Sequence, residues 1–408
     1  MTDQALCEVP ACGPTTTART TATTPFPWPA ILALTGGTFL TVTAEMLPAG
    51  LLLDIAADLG VSSGAVGLLV TVWGLAIAVV SLPLARATSR LDQRVLLAGS
   101  LAVTGTATVL TALAPSYPLL VGARLLAAAA HGLFWALVVV AGTSLVRPGQ
   151  VERAVAVMVA GPTVAAVVAI PAATALGEAV GWRVAFGLVG LLTVVGGALV
   201  VAALPAMAPP PRPEPARRDA SVRRVVAVAL LGALLLVAHF LAYTFVAPLL
   251  TGPGGLSRGQ VSLALLVFGS TGVLGLVAAP WLVRRVPAAS LPISGAGLAL
   301  ALLAVRASGG ADALVLAAVG AWGVVIGAVP VVFQTRLLAL ASERFRPTAG
   351  AVIVVAFNLG VASGGAAGSG LHDVYGAGPL PLFGAVLAMV AAAALAVVGR
   401  EGRRRSGG

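Results

Sequence analysis

Lysine is absent from this chain of 408 residues, and charged residues of every kind make up only 9% of it. A soluble domain carries about 25% charged residues, so there is too little charge here to cover a water-facing surface. Cysteine is nearly absent too. Cys7 and Cys12 both lie in a Thr-rich N-terminal stretch and imply neither a disulfide framework nor a metal site. The chain has no lysine for a phosphate-cradling loop, no paired carboxylates at catalytic spacing and no His/Cys cluster. Those absences argue against an enzyme and leave no cofactor to expect. What abounds is apolar, at 59% of residues. A bilayer-crossing helix takes about 20 apolar residues, so the chain reads as an all-α integral membrane protein.

Apolar runs bounded by Arg, Pro or Gly fall at about 29–53, 64–85, 95–114, 118–146, 154–176 and 183–205. A second set falls at about 224–250, 259–283, 288–306, 312–338, 348–371 and 377–399. The longest polar break inside the chain separates the sets and contains Pro209-Pro210-Pro211 and Arg217-Arg218. The expected organisation is a disordered tail over 1–28, a six-helix bundle over 29–205 and a linker over 206–223. A second six-helix bundle over 224–399 and a basic tail over 400–408 complete it, the bundles forming a pseudo-symmetric pair. The N-terminal tail is too long, too polar and too poor in basic residues for a signal peptide.

The net charge is +10, which in a soluble chain would suggest nucleic acid. Here the arginines sit in short clusters between apolar runs, the pattern that orients a membrane protein with its positive loops inside. With the N-terminus placed in the cytoplasm, twenty of the 24 arginines fall in cytoplasmic segments, Arg90 and Arg94 among them. Only Arg183, Arg258 and Arg306 fall outside, and Arg124 lies within a span. Both termini are therefore expected in the cytoplasm, which requires an even number of spans; twelve fits. The expected partner is the lipid bilayer of the cell membrane, with Arg403-Arg404-Arg405 able to touch anionic lipid. No nucleic acid is expected, and the chain is expected to be a monomer.

An ionisable group inside the bilayer costs several kcal/mol, so each is a functional candidate. Glu45 lies about 12 Å from the outer end of span one and Arg124 about 10 Å from that of span four, at 1.5 Å per residue. They form either a static ion pair that fixes packing, or a site where Glu45 binds and releases a proton under the influence of Arg124. His131 with Trp135 one turn on, His239 with Tyr243 one turn on, and the amides of Gln334 and Asn358 are further polar candidates in the spans. Each is either hydrogen-bonding glue between helices or part of a substrate site lining a central cavity. Gly360, Gly364 and Gly368 in span eleven, and Gly269, Gly272 and Gly275 in span eight, allow close helix packing.

Several ordered motifs resemble the major facilitator superfamily, specifically its twelve-span drug:proton antiporter branch, over about 370 residues. They are Glu45-Met46-Leu47-Pro48-Ala49-Gly50, Asp58-Leu59-Gly60, Arg124 with His131-Gly132, Gly161-Pro162, Gly181-Trp182-Arg183, Tyr243-Thr244-Phe245 and Asn358-Leu359-Gly360. The set is similar to arabinose-efflux-type permeases, purine-ribonucleoside exporters and chloramphenicol-resistance exporters. The family's loop signature between spans two and three falls on Ala85 to Leu97, where Arg90, Arg94 and Leu97 match. Ala85, Ser89 and Asp92 stand where the family has glycine, aspartate and glycine, so its charge-relay gate is incomplete. The resemblance implies proton coupling for Arg124 and a kinked span five for Gly161-Pro162. Pro162 and Pro171 supply a physical cause for such a kink. The implied activity is export of a small organic molecule by proton antiport, with multidrug resistance as one outcome; uptake or facilitated diffusion is the alternative. With few charges in the candidate cavity, neutral compounds such as sugars, nucleosides or chloramphenicol-like antibiotics are favoured over dications.

Overall fold

A computed structural model of the chain describes residues 26–207, 209, 219 and 221–406. Most of the expected N-terminal tail with Cys7 and Cys12, most of the expected linker with Arg217 and Arg218, and Gly407 and Gly408 lie outside the described residues. Among the described residues every regular element is helical, and twelve helices are long and apolar enough to cross a bilayer. They are α1 (Trp28–Gly50), α2 (Ser63–Ala87), α3 (Gln93–Leu113), α4 (Tyr117–Ser144), α5 (Pro148–Val180) and α6 (Trp182–Ala203). The second six are α7 (Val222–Tyr243), α8 (Arg258–Arg285), α9 (Ser290–Ala307), α10 (Asp312–Leu340), α11 (Thr348–Tyr375) and α12 (Leu380–Val398).

The helices pack as one arrangement used twice. In the first half α1 lies on α5 and α6, α2 on α4, and α3 on α4 and α6. In the second half α7 lies on α11 and α12, α8 on α10, and α9 on α10 and α12. The repeat reaches the backbone. The first and seventh apolar runs continue past the ends of their helices, yet α1 breaks at Leu51 (φ −106°, ψ 19°) and α7 at Phe245 (φ −107°, ψ 29°). A short helix follows each break, Leu52–Leu59 and Val246–Thr251. Both sides of each break are apolar, so hydropathy does not register it. Matching the two breaks sets Glu45 on α1 at the register position of His239 on α7.

The halves meet where α2 lies on α11 and α8 on α5. Ser62 and Ser257 begin α2 and α8 with nearly the same backbone angles, and the glycine at the same distance beyond each one sits in the seam. A Cβ on Gly74 would lie 2.8 Å from the Asn358 carbonyl oxygen, and one on Gly269 would lie 2.2 Å from that of Ala166. In lipid there is no hydrophobic gain from bringing helices together, so backbone approach at small residues carries the contact. The three glycines of α8 divide between partners: Gly269 meets α5, while a Cβ on Gly275 would strike Val324 of α10.

At one end the halves are also fastened by polar groups. The Asp373 carboxylate, near the end of α11, accepts hydrogen bonds from the Gly64 N–H at 3.0 Å and the Ser62 hydroxyl at 3.1 Å. Asp373 thus caps the first turn of a helix in the other half, where N–H groups have no partner within the helix. Arg258 meets Asp54 at 3.1 Å. At this end too, Gly181 (φ +100°) turns the chain into α6 so that Trp182 and Arg183 both donate to Asp58 at 3.1 Å.

Candidate functional site

Pro48 has no N–H, so the Ala44 carbonyl one turn earlier loses its helical donor. Arg124 of α4 fills that place. Its Nη1 donates to the Ala44 carbonyl at 2.7 Å and its Nη2 to the Glu45 carbonyl at 3.0 Å. The guanidinium is fully buried and lies 4.0 Å from the centre of the Trp73 ring on α2. The Glu45–Arg124 carboxylate ion pair that matching depth allowed is not formed: no guanidinium–carboxylate approach under 4.0 Å involves Arg124 among the described residues.

The Glu45 side chain, 14% exposed, turns instead toward His131, whose Nε2 lies 3.6 Å from Glu45 Oε2. Trp73 stands edge-on to His131 with ring centroids 5.1 Å apart, and Trp135 follows at 6.2 Å. The Trp135 indole nitrogen is buried without a hydrogen-bond partner. Glu45, Trp73, Arg124, His131 and Trp135 therefore form one cluster shared by α1, α2 and α4. His131, read from the sequence with the substrate groups, stands beside the acid. Trp73 carries no mark in the sequence, because an aromatic in an apolar run looks like ordinary packing.

α5 repeats the proline device. Pro162 frees the Met158 carbonyl, and the Thr38 hydroxyl of α1 donates to it at 3.0 Å. Gly161 makes this possible, since a Cβ there would lie 2.1 Å from Thr38 Oγ1 and 2.6 Å from the Thr35 carbonyl. Between Pro162 and Pro171 the helix widens to a π-helical stretch over Ala165–Ala169, as expected where prolines remove regular hydrogen bonds.

In the second half His239 and Tyr243 of α7 stack with centroids 5.0 Å apart. Phe268 of α8 lies parallel to His239 at 6.2 Å, and Trp322 of α10 stands edge-on at 5.4 Å. The Trp322 indole N–H donates to His239 Nδ1 at 3.1 Å, which leaves the imidazole proton on Nε2. Gln334 is exposed, and the Asn358 amide donates to the Val354 carbonyl of its own helix at 3.0 Å. The groups expected to share one cavity thus fall into two aromatic–histidine clusters, one per half, with the two amides apart.

Arg90 is exposed, and Arg94 donates to the Val201 carbonyl, tying the α2–α3 turn to α6 within its own half. Asp92, where the family signature has glycine, caps α3 by accepting from the Arg94 N–H at 2.7 Å and also holds the Met207 N–H at 3.1 Å. Among the described residues no three His, Cys, Asp or Glu side chains gather as a metal site.

Residues 34–364 match the Major Facilitator Superfamily. A probable sugar efflux transporter from Mannheimia succiniciproducens is 28% identical over 362 residues, covering 88% of this chain and 91% of that protein. A bacterial homologue of the human lysosomal transporter Spinster, inward-facing and occupied, superposes with a TM-score of 0.73 at 18% identity, covering 92% of this chain and 97% of that one. The nucleoside transporter NupG gives 0.73 at 13% identity, over 90% of this chain and 99% of that one.

Proposed function

The chain belongs to the Major Facilitator Superfamily as a secondary transporter of a small organic molecule, and we propose that it exports that molecule from the cytoplasm by proton antiport. The observation that carries this reading is the enclosed Glu45–His131 pair, an acid beside a base inside the first bundle. Glu45 takes up and releases the proton, and His131 is the group through which it passes. The positive-inside bias assigns the arginine-rich ends to the cytoplasm. The end fastened by Asp373–Gly64 and Arg258–Asp54 then faces outward, as the outward-closed half of an alternating-access cycle requires.

The substrate is neutral and small, with sugars the leading class. The two clusters offer aromatic faces and a few polar atoms, the Trp135 indole nitrogen and His239 with Tyr243, and the amides of Gln334 and Asn358 lie apart from them, nearer the cytoplasmic side. Flat apolar walls with a few polar groups suit a compact polyhydroxylated molecule, and the curated relative's name agrees with that class. Within the family this corresponds to the drug:proton antiporter branch. The test is accumulation in an efflux-deficient bacterium loaded with labelled arabinose, a nucleoside or chloramphenicol. Expression should lower accumulation of at least one compound, and Glu45→Gln should abolish that effect. Raised accumulation would establish the uptake permease instead.

A further inference from the structure

Arg124 shares a depth with Glu45 but spends its donors on the backbone. Its planar fork spans two successive carbonyl oxygens of α1, one of which Pro48 has left without a helical donor. An open carbonyl inside a bilayer is costly, because no water can take the place of the missing N–H. Pro48 lies within one turn of Glu45 and just ahead of the break at Leu51, so the backbone that carries Glu45 lacks one of its regular hydrogen bonds. The Thr38 hydroxyl on the Met158 carbonyl freed by Pro162 shows the same solution in the neighbouring helix.

We propose that Arg124 is a positioning residue: it caps the carbonyl that Pro48 frees, holds the α1 backbone at Ala44 and Glu45, and so aims Glu45 at His131. This rests on the reading of Glu45 as the proton site. The titratable or charged groups facing Glu45 are His131 and Arg124 of α4, while α2 contributes the uncharged Trp73. A guanidinium suits the task because it offers paired donors in a fixed plane; an ammonium is a single point charge and holds one oxygen well.

The test uses the purified full-length chain and needs no substrate. The carboxyl stretch of protonated Glu45, identified in infrared spectra by its loss in Glu45→Gln, reports the hydrogen bonding of that group. Arg124→Gln should move the band and lower the thermal midpoint by several degrees. Adding Pro48→Ala restores an N–H for the Ala44 carbonyl, so the double variant should recover both. Arg124→Lys keeps the charge and should still move the band, again with recovery on adding Pro48→Ala. An unmoved band in Arg124→Lys overturns the proposal, because charge alone would then suffice. So does a double variant that regains its thermal midpoint while the band stays displaced, since Arg124 would then be structural only. None of these readouts depends on transport, so a failure of the export reading leaves the test of Arg124 intact.

Discussion

Glu45 Oε2 and His131 Nε2 stand 3.6 Å apart, less than about 1 Å beyond ordinary hydrogen-bond distance. Replacing Glu45 by Gln keeps the shape and removes the titration, so membrane insertion should persist while proton-coupled transport is lost. In the other cluster, Trp322→Phe removes the N–H held by His239 Nδ1 and leaves a buried acceptor unpaired. A buried polar group without its partner costs about 1–3 kcal/mol, which should appear as a lowered thermal midpoint against wild type; an unchanged midpoint would mean that the bond carries no weight. Glu45, Arg124 and His131 were legible in the sequence because an ionisable side chain in an apolar run has no bland surroundings to hide in. Trp73, Phe268 and Trp322 were not, since nothing in the sequence distinguishes an aromatic that lines a cluster from one that fills a core. Nor could the sequence tell that Arg124 reaches carbonyls rather than a carboxylate, because backbone acceptors carry no sequence signature.

Among the elements, α5 depends most on a short motif. Gly161 lets α1 approach, Pro162 opens the Met158 carbonyl, and Thr38 closes it. Gly161→Val should force α1 and α5 apart at an overpacking cost of about 1–3 kcal/mol, read as a loss of folded protein after detergent extraction. A second joint involves Asp219, whose carboxylate accepts from Ser221 and from the Ser342 hydroxyl, fastening the chain before α7 to the α10–α11 turn. Those hydrogen bonds, the Ser221 side chain first, hold the Asp219 carboxyl below its usual range. A depressed carboxyl stabilises the folded state above its unfolded value of about 3.8 and loses that contribution as pH falls through the lower folded value. Accordingly, proteolysis near Ser221 should be independent of pH between neutrality and about 5, and Asp219→Ala should increase it throughout. The spans themselves followed from hydropathy. The breaks at Leu51 and Phe245 did not, because an apolar run reads the same whether or not the backbone turns inside it.

Across the whole molecule the halves are fastened at one end by contacts far apart in sequence. Asp373 lies 309 residues from the Gly64 it caps, a pairing that only the assembled halves create. On the alternating-access cycle proposed above, disrupting this seam should favour the outward-open state. Gly269→Val, whose side chain would collide with the α5 backbone, and Asp373→Ala, which uncaps α2, should each raise labelling by an outside, membrane-impermeant reagent of a cysteine placed at Thr71, an α2 residue that faces Gly365 of α11 in the seam. Arg258→Ala should do so less, as an exposed ion pair contributes only about 0–1 kcal/mol. The number of spans was legible from the apolar runs; which end is fastened was not, since the groups that fasten it are lone acids scattered over distant turns.

Whether protons drive outward movement of a small molecule through Glu45 can be read in everted membrane vesicles. With respiration holding the interior acid and a fluorescent dye reporting the gradient, adding arabinose, a nucleoside or chloramphenicol in turn should dissipate the gradient for at least one compound. The same compound should leave it intact in vesicles carrying Glu45→Gln. Equal dissipation in both, or none with any compound that the cells demonstrably export, would contradict the account.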